Sequence, residues 1–179
     1  MKPTYLLFAT VALLVSCKEK PATDASTSTP PTAQASTALQ AVLAAAPKGE
    51  PQSIVNAKAT AKPGEEITIT GRIMGSSSPF VSGRAAFILG DPGVLTACSD
   101  NPGDECETPW DNCCDSKEDK KRGTVTVQVV DADGRVLKEP LEDVGGIKKL
   151  ATLTVTGKVA GGSTADLLIL NATAIRTEK

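Results

Sequence analysis

Five runs of this chain alternate apolar and polar residues with a period of two, and that alternation confines it to a sheet with one buried face. They lie at residues 66–73, 85–89, 123–130, 152–159 and 166–175. Turn chemistry separates them: Pro63-Gly64 before the first, Gly90-Asp91-Pro92-Gly93 after the second, Asp133-Gly134 after the third, Gly161-Gly162-Ser163 before the fifth. Gly71 inside the first run predicts a bulge or sharp bend. The inward positions are Ile67, Ile69, Ile73, Phe87, Leu89, Val125, Val127, Val129, Leu153, Val155, Leu168 and Leu170. Past residue 52 the only aromatics are Phe80, Phe87 and Trp110, so the core is aliphatic. Residues 53–57 form a short helical or extended lead-in. Residues 145–150 (GGIKKL) have room for one helical turn between strands three and four. The charge run 117–122 (KEDKKR) reads as a solvated loop tip.

The order of these features resembles a known architecture. The stretch Ser53-Ile54-Val55, Pro63-Gly64, then Ile67-x-Ile69-x-Gly71-x-Ile73, with Phe87-Ile88-Leu89-Gly90-Asp91 downstream, is similar to the opening of many OB-fold domains, small bacterial periplasmic ones among them. The resemblance implies an all-β, five-stranded OB-fold-like barrel over residues 52–179. An immunoglobulin-like sandwich is the rival, but it usually needs seven strands.

The N-terminus sets the compartment. Residues 1–16 (MKPTYLLFATVALLVS) join a positive Lys2 to an apolar run too short to span a membrane as a helix. Leu14-Val15-Ser16-Cys17 resembles the lipobox of bacterial lipoproteins. That resemblance implies cleavage before Cys17, lipidation of Cys17, and a membrane partner through several acyl chains. Lys18 follows, where Asp retains enteric lipoproteins in the inner membrane, so the expected location is the cell envelope, facing the periplasm from the outer membrane. Residues 17–51 read as a Pro/Ser/Thr/Ala-rich disordered tether. Its run 38–46 (ALQAVLAAA) is long enough only for a transient helix.

The third feature is an insertion, residues 92–122. It carries Cys98, Cys106, Cys113 and Cys114, every cysteine beyond Cys17, together with Trp110 and many acids. Four cysteines in an oxidising compartment make disulfides the default. An adjacent Cys113–Cys114 ring is strained. Two pairings remain open: Cys98–Cys113 with Cys106–Cys114, or Cys98–Cys114 with Cys106–Cys113. The loop has few apolar residues, so covalent closure is expected to hold it, with Trp110 covering the bridges. A metal site on the same four thiols is the sharper alternative, but the spacing C-x7-C-x6-C-C lacks the C-x-x-C pairs of structural zinc sites. Asp100, Asp104, Glu105, Glu107, Asp111 and Asp115 are oxygen donors for calcium, against the plainer reading of a polar loop. Asp131-x-Asp133-Gly134 starts like a calcium loop but lacks the later Glu, and reads as a hairpin turn.

Several chemistries are absent. The chain has no histidine, which removes Ser-His and Cys-His pairs. No phosphate-binding or dinucleotide fingerprint appears, and no cofactor is expected. From residue 52 onward 15 Lys/Arg face 18 Asp/Glu, a net −3, with no aromatic stacking platform, so nucleic acid is not an expected partner. The expectation is a non-catalytic, lipid-anchored binding or interaction module with an unknown protein or small-ligand partner. The alternatives are a small-ligand or metal-ion binding protein using the acidic thiol loop, or a thiol–disulfide redox protein using Cys113-Cys114.

Overall fold

The alternating runs form five strands in a computed structural model that describes residues 35–178: β1 (Glu66–Arg72), β2 (Ala86–Gly90), β3 (Thr124–Gln128), β4 (Thr152–Val159) and β5 (Leu168–Thr177). They close into a barrel in the order β1-β2-β3-β5-β4, with β4 returning to β1. This is the expected OB-like all-β barrel. Only β3 and β5 run parallel; every other pair is antiparallel. The β1–β4 register runs unbroken from Glu66↔Lys158 to Arg72↔Thr152. β1 meets β2 only at Arg72↔Gly90. Gln52 fills part of that open edge, its N–H donating to Thr68 O and its carbonyl accepting from Thr70 N.

All twelve inward residues predicted from alternation are buried, the most exposed of them, Ile67, at 6%. Gly71 does not bulge. It admits Ile54, whose Cδ1 would lie 2.8 Å from a Cβ at that position. The register shift falls instead between Thr156 and Gly157 of β4, where a Cβ on Gly157 would sit 2.5 Å from Asn171 O.

Helix α1 (Thr37–Ala44) corrects the expected tether boundary. Its apolar residues Leu39, Val42 and Leu43 recur at helical spacing and pack on the barrel core, and Leu39 is fully buried. Isolated, eight residues cannot hold a helix. Here Ser36 caps the first turn by accepting from Leu39 N, and in turn donates to the Glu139 carboxylate, while β5 supplies the packing surface. Residues 1–34, with the leader, Cys17 and the first half of the tether, lie outside the described residues.

The lead-in is helix α2 (Ile54–Thr60), capped by Ser53. Its Ile54 and Ala57 belong to the barrel core. Lys58 Nζ donates to the carbonyls of Thr124 at 3.1 Å, Asp166 at 2.9 Å and Lys121. Burial holds its pKa below the usual lysine value. The run 117–122 is not a bare loop tip: with Gly123 it forms α3 (Lys117–Gly123), capped by Ser116 and carrying Glu118 and Asp119 in its first turn. The helical turn expected at 145–150 is absent. Asp143, Gly145, Gly146 and Leu150 all take positive φ, which no right-handed helix admits, and the segment is a bridged turn that buries Ile147.

If α1 belongs to the domain, Leu39→Ala lowers unfolding free energy by ~2–5 kcal/mol in denaturant titration. A change within ~0.5 kcal/mol would return residues 35–46 to the tether.

Candidate functional site

The insertion leaves the barrel through one acid. Asp91, at the end of β2, is buried; its Oδ2 accepts from Val55 N at the start of α2 and its Oδ1 from Gly93 N, each at 3.0 Å. Its own N–H donates to Gly123 O at 2.8 Å, so the two ends of the insertion are joined across a single hydrogen bond. Leu95 and Ala97 then pack with Met74 in a second small core, flanked by Val94 and Leu150. Beyond it the loop doubles back on itself, Cys98 N bonding Asp111 O at 2.7 Å and Ser99 N bonding Pro109 O at 2.9 Å. Backbone pairing and this apolar anchor order the loop alongside whatever its thiols contribute.

Trp110 reaches partners outside the insertion. Its Nε1 donates to Ser77 O at 2.8 Å, and Lys149 Nζ stands 4.2 Å from its ring centroid, a cation–π contact. Trp110 thereby ties the insertion to the β1–β2 connection, and an Arg72–Asp100 ion pair ties it to β1.

The fold-back brings Cys98, Cys106 and Cys113 together. Their sulfurs all lie within 4.8 Å of one another, with Cys98 and Cys113 3.5 Å apart. Cys114 stands outside this trio, 3.9 Å from Cys113. No pair is at the ~2.05 Å of a disulfide, and the four thiols are free. Cys98 is buried at 1% exposure, and that burial pushes its thiol up to about 12. Cys106 moves the other way: the Thr108 hydroxyl, 3.3 Å from its sulfur, and the Thr108 backbone hold its pKa below the ordinary thiol value. Spacing alone hid this cluster, because C-x7-C-x6-C brings its sulfurs together only once residues 98–99 pair with 109–111.

The acids do not assemble. Asp104, Asp111 and Asp115 each accept a backbone N–H, from Cys106, Asn112 and Thr96 respectively, and Asp100 is committed to Arg72. Among the described residues the thiol trio is the one cluster of potential ligands close enough to hold a metal ion. Asp131 and Asp133 form the hairpin turn expected of them, with Asp131 Oδ1 accepting from the N–H groups of Asp133 and Arg135.

Sequence reading missed a cavity of about 680 Å³ at the start of β2. Val81, Ala86, Val136 and Leu137 give it apolar walls, Thr126 and Gln128 of β3 add polar groups, and Arg84, Arg135, Lys138 and Asp131 stand around it. The backbone N–H of Arg135, and then its guanidinium, hold the Asp131 carboxyl below the usual carboxylate range. Arg135 is thus engaged by Asp131 and Asp133, whereas Arg84 and Lys138 have no ion-pair partner among the described residues. Val81, 47% exposed, is one of two large apolar side chains left open to solvent among the described residues. No motif marks this site, because its residues come from two connections and two strands. No family model, curated protein or solved structure matches the chain.

In the reduced, metal-free protein Cys98 is the last thiol to be alkylated, because only an opening of the loop exposes it. Timed alkylation with peptide mass mapping checks this; labelling of Cys98 as fast as Cys114 would contradict the fold-back.

Proposed function

We propose that this protein is a non-catalytic, lipid-anchored module of the cell envelope that binds a small ligand at the β2–β3 face of its barrel. The cavity carries this reading. Its volume falls within the ~300–1,000 Å³ typical of small-molecule sites, and it combines apolar walls with a few converging polar groups. OB barrels commonly use this face for ligands, a fold-level analogy that lends support without naming the ligand. Three cations against one carboxylate favour a compact anion with an apolar body. Acylated Cys17 would hold the protein to the membrane.

A loop with nothing bound at its thiols is open to oxidation in an oxidising compartment. The 3.5 Å separation of the Cys98 and Cys113 sulfurs supports their closing first, with Cys106 then left to Cys114. That favours the first of the two pairings the sequence left open. Either way the loop stays beside β1, held by Arg72 and Trp110.

Two outcomes follow. Replacing Cys17 with Ser releases the protein from membranes; retention of that variant after a high-salt wash would remove the anchor. Anilinonaphthalene sulfonate, an apolar anion, binds the folded protein at one site, and Arg84→Glu weakens that binding by roughly tenfold, ~1.4 kcal/mol. Fluorescence titration reads this directly. Equal affinity in Arg84→Glu and in Leu137→Asp would place the probe elsewhere and dismiss the cavity as the binding site.

A further inference from the structure

The thiol trio has the geometry of a metal clip and not that of a closed disulfide. Across a tetrahedral zinc with bonds of ~2.3 Å, two thiolate sulfurs stand ~3.8 Å apart. The sulfurs here are 3.5 Å apart for Cys98 and Cys113, and all three fall within 4.8 Å. Each comes from a different stretch of the loop and is positioned by a separate bond: Cys98 N to Asp111 O, Cys106 N to Asp104 Oδ1 at 2.8 Å, and Cys113 within a turn that Asp115 N closes on Asn112 O at 3.0 Å. Convergence of three segments is what a metal requires and what a single disulfide does not. No carboxylate joins the cluster, which disfavours hard cations such as calcium or magnesium.

A second observation comes from the residue next to Cys113 in the chain. The side-chain amide of Asn112, the residue before Cys113, is 1% exposed, and neither its oxygen nor its nitrogen has a partner. An unpaired buried amide is uncommon in folded proteins, and a bound ion or ordered water is what commonly satisfies one.

We propose that Cys98, Cys106 and Cys113 form a three-thiolate site for a thiophilic d10 metal ion, Zn²⁺ or Cu⁺. On binding, three S–H bonds give way to three metal–sulfur bonds and three protons leave to solvent, with no change in oxidation state. The ion then keeps these thiols from oxidising. Cys114, next to the exposed Cys113, lies outside the ligand set and is close enough to approach the fourth position. This site is independent of the β2–β3 cavity and stands or falls separately from it.

The test uses the full chain, reduced and stripped of metal under argon. It is titrated with Zn²⁺ and, in a separate arm, with Cu⁺, each against a competing chelator. One ion binds per chain. Cys98→Ser, Cys106→Ser and Cys113→Ser each weaken binding by at least ~100-fold, and Cys114→Ser by less than ~10-fold. The arm with the tighter competition identifies the metal. Cys106, half-buried, is the variant to read first, with its thermal unfolding checked alongside. Co²⁺ added to the unsubstituted chain gives a thiolate-to-cobalt charge-transfer band that Cys106→Ser loses, a readout that does not depend on Cys98 packing. The proposal is overturned if the reduced chain holds neither ion more tightly than the triple-serine variant. It is equally overturned if protein taken from the envelope carries a Cys98–Cys113 disulfide and no metal.

Discussion

Closure of the barrel through the parallel β3–β5 pair is the constraint on which the other features depend. Parallel neighbours cannot be joined by a hairpin, so the chain must travel away and return between them. It does so through residues 129–151 and β4, which pairs β5 on one edge and β1 on the other. Closure leaves no long open sheet edge, the usual liability of a small β domain. Lys58 sits at the end of the parallel pair and donates to carbonyls in α3, at the start of β3 and before β5. Helix α2 is thereby fixed to the two strands whose pairing completes the barrel.

That closure is thinnest at β1–β2, which share one register pair. The opening is where the rest of the molecule is added. Gln52 bonds β1 there, the connection after β1 carries Met74 and Ser77, and the insertion starts where β2 ends. Met74 packs with Leu95 and Ala97, Ser77 accepts from Trp110, and Arg72 pairs with Asp100. The insertion is therefore a lateral extension of the domain with its own small core. Asp91 connects it to the remainder, since one carboxylate serves both the α2 N-terminus and the turn after β2.

Strand β2 has only five residues, yet both candidate sites hang from it. Ala86 at its start lines the cavity, and Gly90-Asp91 at its end launches the thiol loop. The two differ in chemistry. The cavity offers apolar wall and cations, two of them without an ion-pair partner among the described residues; the loop offers three soft donors and no converging acids.

The residue pattern dictated the strands and the inward residues, because a period of two is a local property that any half-buried strand must display. Ile69, Phe87, Val127 and Leu170 were legible for that reason. It also determined the turn at Asp133-Gly134, whose geometry depends on adjacent residues alone. The features that the pattern left open share one cause: the stabilising partner is distant in the chain. Helix α1 is too short to form without β5, so its residues read as tether. Residues 145–150 lost their helical turn to positive φ values imposed by the path from β3 to β4. The cavity draws Val81, Gln128 and Lys138 from separate segments. The three sulfurs meet only because Cys98 and Ser99 pair with Asp111 and Pro109, and no spacing rule anticipates a backbone pairing that the folded loop itself creates.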